Sequence, residues 1–485
     1  MEKQYTNFFL VRDNVLYRGV EDGERVLKRI PYKPSLFVES KSDTKWKTLF
    51  GQSVDKITFN SIGDARDFVR RYENVDNFNY YGNTKFHYAF ISDQFEGLID
   101  YNMSNIVVVN IDIEVGSDMG FAKPDNPFEQ IIAITMEIGG QYISFGCGEF
   151  FPSVEHVKYI RCSNESELLT KFIEHWVHIS PDIVTGWNVQ FYDIPYLYNR
   201  IERVLGETDA KKLSPWKMIN KKEIMYGNRP QLEIELCGIS TLDYMDLYIR
   251  YQPKKESNKL NYISYAELGE KKISYEEYGN LYNLYKSNFQ LFMEYNIKDV
   301  ELVKRLEEKL KLIEMVVALA YDAKVNFNDV FTQVRLWDTI IFNHLKANKI
   351  VMPKIVRNNK ATNYAGAYVK EIEPCSKDWV VSFDLNSLYP SLIAQMNISP
   401  ECLVPELYDS VSVESILDMK HDTKKYKDVN VSLAVNGHCF TNDKVGFLPD
   451  ILMRMYEDRK LYKNKMISAK RELERVNEEL KRRAI

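Results

Sequence analysis

The stretch that most restricts what this chain can fold into is VVNIDIEV, Val108 to Val115. Its density of apolar and β-branched residues reads as a core strand beginning near Asn105, and two further strand candidates, QIIAITMEI and QYISFGC, follow closely enough to start a sheet. Asp112 and Glu114 are two positions apart, so the pleat turns both carboxylates to the same face. Burial and like charge each raise their pKa values, and a bound divalent cation relieves that conflict by supplying opposite charge. Taken alone, the pair also fits an edge strand whose polar face is wet.

Further acids accompany it. TGWNVQFYDIPYLYNR places Asp193 at the start of a helix, a little after Asn188, where a lone Asp two residues before Pro195 also reads as an N-terminal cap. EYNIKDVELVKR puts Tyr295 and Asp299 four residues apart on one helix face. Between these segments Asn164 and Glu167 fit a capping box that opens the helix ESELLTKFIEHWVHI. A long helix, LFMEYNIKDVELVKRLEEKLKLI, closes the region. Strands alternating with helices predict an α/β domain over residues 106–311.

At 485 residues the chain is long enough for about three to four structural units. Residues 1–105 mix short strand candidates with the helical DARDFVRRYENV and read as an α+β domain with no reactive constellation. Residues 312–353 read as a helical segment returning to that N-terminal domain, residues 354–441 as strand-like text around Asp384, and residues 442–485 as a terminal helix opened by Pro449. Net charge is −5, yet residues 451–485 hold 11 Lys/Arg against 6 Asp/Glu, so basic charge is concentrated there. No run is apolar enough for a membrane span and the N-terminus lacks the order of a signal peptide, which predicts an intracellular protein. Six scattered cysteines without a C-x-x-C pair predict buried or half-buried thiols, neither zinc ligands nor disulfides. Asn-x-Ser triplets, among them those at Asn164, Asn397 and Asn430, carry no meaning without secretion.

Taken together, D-x-E, N-x-x-x-x-D and Y-x-x-x-D resemble the three exonuclease motifs of the proofreading domain of DNA polymerases. The resemblance implies a ribonuclease-H-like 3′-5′ exonuclease domain in which Asp112, Glu114, Asp193 and Asp299 hold two divalent ions, Mg²⁺ or Mn²⁺ by their oxygen ligands, while Tyr295 orients the attacking water. Phe121, Trp187, Phe191 and Tyr192 offer stacking faces to an unpaired strand, and Arg200, Lys221, Lys222 and Arg229 offer phosphate partners. KKEIMYGNRPQLEIEL reads as a β-hairpin resembling the one that helps part primer from template, which implicates Met225 and Tyr226, as the motif implicates Asn188.

DLNSLYPSLI resembles motif A of family B DNA polymerases, and QMNISPE, LNYISYAEL, YAGAYVKE and WDTIIFNHLK fit that family's T-even bacteriophage branch. By resemblance, Asp384 is a metal-binding acid of a partial palm, and Leu385 lends its carbonyl to the same ion. Leu388 and Tyr389 meet the incoming nucleotide, Tyr389 selecting against a 2′-hydroxyl, while Arg459 and Lys463, in the first helix of the fingers, bind its triphosphate. Tyr364 and Gly366 would touch DNA, although Tyr364-Ala-Gly-Ala367 departs from the Tyr-x-Gly-Gly of many relatives, and Asn386 replaces an expected hydroxyl side chain.

The family's Lys-x-x-x-Asn-Ser-x-Tyr-Gly helix and Asp-Thr-Asp hairpin do not occur in these residues, and one palm acid cannot hold two ions. The expectation is therefore a multidomain α/β protein, the N-terminal subunit of a split phage replicative polymerase, completed by a C-terminal polymerase polypeptide. A truncation or interrupted reading frame gives the same sequence. Its implied partners are primer-template DNA, single-stranded 3′ ends, deoxynucleoside triphosphates and phage replisome proteins, without membrane, in the cytoplasm of an infected bacterial host. Two rivals are a self-sufficient single-strand exonuclease and a non-enzymatic nucleic-acid or assembly module that recognises RNA through its N-terminal domain. The four exonuclease acids argue against the latter.

Overall fold

A computed structural model describes residues 3–117, 122–226, 229–354, 371, 373–408, 411, 415, 418–420, 424–427 and 429–483. Two compact units emerge, one of residues 1–36, 57–78 and 83–343, the other of residues 37–56, 79–82 and 344–485.

The first unit begins with an antiparallel meander of β1 (Lys3–Val11), β2 (Asn14–Glu21) and β3 (Glu24–Pro31). Asp22 and Gly23 join β2 to β3 with φ of 52° and 84°, the left-handed pair that a two-residue hairpin turn requires and that Asp-Gly supplies. The strands β4 (Ser35–Glu39), β5 (Val54–Thr58) and β6 (Tyr80–Tyr81) fall mostly in the second unit, whereas α1 (Ile62–Tyr72), capped by Ser61, and α2 (Phe86–Gln94) belong to the first.

The central sheet has the order β10-β9-β8-β7-β11-β14. Its strands are β7 (Val108–Val115), β8 (Ile131–Ile138), β9 (Gln141–Gly146), β10 (Val157–Arg161), β11 (Ile183–Thr185) and β14 (Ser240–Thr241). β7 runs antiparallel to β8 and parallel to β11, so it lies inside the sheet. Val109, Ile111 and Ile113 join an apolar layer with α3 (Glu165–Ile179) and α4 (Asp193–Leu205). The alternating Asn110, Asp112 and Glu114 take the other face. A bulge at the Glu114/Val115 end of the ladder leaves Ile132 as an extra residue beside the acids. Asn164 caps α3 by accepting the amide of Glu167, whose own carboxylate returns to Ser163, one residue earlier than a strict capping box places it.

After α5 (Glu207–Ala210) the chain forms the expected hairpin, β12 (Ile219–Tyr226) against β13 (Arg229–Leu236), with residues 227–228 outside the described set. Next come α6 (Tyr244–Tyr251), α7 (Leu260–Leu268), α8 (Leu281–Ser287), α9 (Phe289–Leu310), α10 (Leu312–Ala323) and α11 (Gln333–Ala347). The apolar run through residues 291–313 reads as one helix, but Lys311 adopts φ 55° and divides α9 from α10. The carboxylate of Glu307 takes up the amides freed there, those of Leu312, Ile313 and Glu314. α10 and its following turn dock on β1: Tyr5 Oη donates to Val325 O at 2.8 Å, and the Asn326 side chain bonds both the amide and the carbonyl of Phe8.

In the second unit α12 (Leu388–Gln395) precedes the three-stranded sheet of β15 (Leu403–Tyr408), β16 (Val431–Leu433) and β17 (His438–Thr441), ordered β15-β17-β16. The helix Phe447–Arg483 ends the described chain, starting two residues before the Pro449 expected to open it. Asn397 is buried; its Nδ2 donates to Thr441 O at 2.6 Å and Lys444 O at 2.8 Å, which removes it from the surface that a modified asparagine needs. The apolar run around Asp384 reads as a core strand and is not one: residues 378–385 pair with no described neighbour, and Trp379 and Phe383 are 92% and 90% exposed. Strand propensity becomes a strand only where another backbone accepts its N–H and C=O groups. Cys375 is exposed, contrary to expectation; the other five thiols are buried or half-buried. Among the described residues no helix is long and apolar enough to cross a membrane.

Candidate metal centre

Asp112 and Glu114 leave β7 on its polar face and meet Asp299 from α9, with one carboxylate oxygen of each within 4.8 Å of the others. This is the single such cluster among the described residues. Asp193 lies close enough to act electrostatically on Asp112 and Glu114, but it is not among the three whose oxygens converge. It does not cap its helix. Tyr192 holds the cap position of α4, and Asp193 Oδ1 accepts the amide of Ile113, the residue between the two β7 acids, at 3.1 Å.

Burial dominates the electrostatics, raising Asp112 well above the usual carboxylate range and pushing Glu114 up to about 8 and Asp193 up to about 7. Asp299 is raised by burial too, although Lys272 and the Tyr295 hydroxyl pull it back. Lys272 Nζ donates to Asp299 Oδ2 at 2.5 Å and to Tyr295 Oη at 3.2 Å. Burial works against its ammonium, yet Asp299, Asp112 and Glu114 outweigh it and raise its pKa. Asn296, fully buried on α9, donates from Nδ2 to Asp112 Oδ2 at 2.6 Å. Asp299 Oδ1 is buried without a hydrogen-bond partner. An orphaned carboxylate oxygen, oxygen-only donors and one ammonium against four acids together fit a hard divalent cation. Sequence reasoning missed Lys272 and Asn296. The signal available was the need of crowded acids for counter-charge, with Lys271-Lys272 standing between Asp193 and Asp299 in the chain.

The segment leading to Asp193 is held by a further buried acid. Asp243 accepts the amides of Asn188 at 3.1 Å and Gln190 at 3.0 Å, and caps α6 through the amides of Met245 and Asp246. Asn188 takes φ 68°, so this bracing fixes an uncommon backbone geometry. Burial raises Asp243 to about 6 against four amide bonds that lower it.

Of the residues expected to grip a strand, Phe191 and Tyr192 are half-buried and Met225 is 67% exposed near the end of its hairpin strand. Trp187 donates its indole N–H to Asn258 O. Phe121, Tyr364 and Gly366 lie outside the described residues, as do the side chains of Tyr226 and Arg229. Arg200 is a correction: it is no phosphate partner but the centre of a buried ion pair, its Nε and Nη2 donating to Glu165 at 2.7 and 2.6 Å and its Nη1 to Phe128 O at 2.7 Å. A guanidinium inside α4 is held by the nearest carboxylate, because an unpaired charge there costs several kcal/mol. Lys221 and Lys222 are exposed but matched by Glu202 and Glu235.

In the second unit Asp384, Leu385, Leu388 and Tyr389 are exposed, Tyr389 at 72%. Arg459 reaches from the terminal helix to donate to Ser387 Oγ at 3.3 Å, and Lys463 follows one turn later, also exposed. Among the described residues Asp384 belongs to no group of three or more acids, histidines or cysteines placed to share an ion.

Comparison with known proteins bears on both regions. Residues 68–263 match the family described as DNA polymerase family B, exonuclease domain, and residues 325–485 match DNA polymerase family B. Lys272, Tyr295 and Asp299 fall between these segments. The DNA-directed DNA polymerase of Escherichia phage RB69 is 34% identical over 520 aligned residues, covering 99% of this chain and 56% of that protein. That of Enterobacteria phage T4 is 30% identical over 507, covering 98% and 55%. The DNA polymerase delta catalytic subunit of Caenorhabditis elegans is 27% identical over 334, covering 65% and 29%. This chain thus spans just over half the length of the two phage proteins. With two segments matching one family and phage polymerases aligned along nearly all of its length, the chain belongs to DNA polymerase family B.

Proposed function

We propose that the chain is a 3′-5′ exonuclease acting on single-stranded DNA ends, and that it carries one half of a DNA polymerase site. The convergence of Asp112, Glu114 and Asp299 within 4.8 Å carries this reading. In it Asp112, Glu114, Asp299 and Asp193 would together hold a pair of Mg²⁺ or Mn²⁺ ions. Such a pair, when bound, supplies an activated water nucleophile and stabilises charge on the departing 3′ oxygen. The remaining work falls to the chain. Tyr295, its hydroxyl tied to Lys272, orients the water; Lys272 balances Asp299 until ions bind; Asp243 sets the backbone from which Asn188, Phe191 and Asp193 project. Phe121, Met225 and Tyr226 guide the unpaired strand, whose bases stack irrespective of sequence.

For synthesis, Asp384 and the Leu385 carbonyl would hold an ion, Leu388 and Tyr389 would shape the sugar pocket, Arg459 and Lys463 would receive the triphosphate, and Tyr364 and Gly366 would touch the DNA. In this reading a second polypeptide of a phage replisome, in the infected cell's cytoplasm, completes the site around the exposed Asp384. The domain limits read from sequence belong to the same proposal.

Purified chain with Mg²⁺ is expected to shorten single-stranded DNA from the 3′ end and to show no templated primer extension. Asp112→Ala with Glu114→Ala should slow digestion by about 1000-fold, equivalent to about 4 kcal/mol of transition-state stabilisation. Digestion at the parent's rate would refute the metal assignment. Extension by the chain alone would refute the half-site, and co-purification from infected cells tests for the completing polypeptide.

A further inference from the structure

Strand β7 and helix α9 carry the converging acids, and two asparagines stitch the strand to the helix. Asn110 donates from Nδ2 to Val300 O at 2.7 Å, and Asn296 donates from Nδ2 to Asp112 Oδ2 at 2.6 Å. Each leaves its own Oδ1 buried without a partner, but only the second bonds one of the acids. Asn296 is 0% exposed, and its Oδ1 is buried with no partner. Such an oxygen costs about 1–3 kcal/mol of uncompensated desolvation, which a leucine, branched in the same way though bulkier, would avoid. What the amide returns is a short N–H bond to a carboxylate, among the stronger hydrogen bonds a side chain makes.

Building on the reading of this cluster as a metal centre, we propose that Asn296 is a positioning residue for the ions. It acts through Asp112, touching neither metal nor substrate. Its bond to Oδ2 fixes the rotation of the Asp112 carboxylate, and because Asn296 lies three residues before Asp299 on the same face of α9, it also sets the separation of the two acids. Asp112 is thereby held toward Asp299 before any ion arrives, although mutual repulsion would drive the two apart. Partners of this kind orient a ligand, and their loss typically weakens metal affinity 10- to 100-fold.

Mn²⁺ binding by the full chain, without DNA, tests this through the electron paramagnetic resonance signal of free Mn²⁺. The parent should bind, and Asn296→Leu should bind about 10- to 100-fold more weakly, while thermal unfolding verifies that the variant is folded. Asn296→Ser and Asn296→Ala, which differ by one donor hydroxyl at nearly equal size, keep the test decisive if leucine is not tolerated: serine should bind more tightly than alanine. Leucine or alanine variants that bind Mn²⁺ as the parent does overturn the positioning role. A parent that binds no Mn²⁺ overturns the metal centre itself, and with it this inference.

Discussion

Replacing Arg200 with leucine separates two readings of one residue. The sequence offers it as a cation for DNA phosphates; the structure seals it beside Glu165, with both side chains at 8% exposure. The substitution removes two charged hydrogen bonds to Glu165, at 2.7 and 2.6 Å, and those to Phe128 O at 2.7 Å and Pro127 O at 3.2 Å. Glu165 then keeps, of these partners, the amide of Ile131 at 2.8 Å. Breaking a buried ion pair from one side costs about 3–5 kcal/mol. At about 2 °C per kcal/mol, the low end for large domains, unfolding should fall by about 6–10 °C. Glu165→Gln with Arg200→Leu should recover part of that loss, because no uncompensated charge stays buried. Differential scanning calorimetry reads the shift, and the salt dependence of single-strand binding reads the alternative. An unchanged melting temperature, together with a drop of about 0.7 in the slope of log affinity against log salt, would refute the buried-pair argument and restore Arg200 as a phosphate contact.

Three other outcomes follow from the same geometry. The acids of the centre have raised pKa values, so their contribution to folding is fully present below the unfolded range near pH 4 and is lost as pH rises through about 7 and 8, where Asp193 and Glu114 titrate. In chelator the melting temperature should therefore drop between pH 5.5 and pH 8, Mg²⁺ should flatten the drop, and Asp112→Ala with Glu114→Ala should remove most of it; a profile unaltered by that double substitution would contradict the assignment. Lys272→Met takes away the ammonium that Asp299 and Tyr295 share, so the variant should melt lower than the parent in chelator and recover most of the difference at saturating Mg²⁺, measured by dye-monitored unfolding. Asp243→Ala strips the acceptor from four backbone amides, which should cost about 2–3 kcal/mol in urea unfolding and slow digestion by loosening the segment before Asp193.

What could be read beforehand divides along physical lines. The β7 acids were legible because a strand's period of two is rigid: once VVNIDIEV is a strand, Asp112 and Glu114 must share a face. α3 was legible from its cap and apolar spacing, and its limits, Glu165–Ile179, coincide with the run picked from sequence. Contacts between distant segments were not legible. Lys272 enters the centre from an irregular stretch with no periodicity to announce it, and Asn296 looks like any polar residue on a helix until Asp112 is found beside it. Arg200 and Glu165, 35 residues apart, reveal their pairing only when α3 and α4 are both in place. The break at Lys311 has no glycine or proline to mark it, since Glu307 does the capping from the preceding turn. Around Asp384 the sequence pattern was sound and its consequence was not, because sheet formation depends on neighbours as well as on composition.

The two-faced character of β7 also restricts how its gene segment can drift. Deleting or inserting a single codon between Val108 and Ile111 would rotate everything downstream by half a pleat, thrusting carboxylates among the hydrocarbon of α3 and α4 and presenting isoleucines to the cleft. Length changes there are tolerable only in pairs. The hairpin after Ile219 shares that parity where Leu232, Ile234 and Leu236 join the apolar layer, but Met225 and Pro230 further out are exposed, so heritable variation in size should collect at that outer end and be purged from β7.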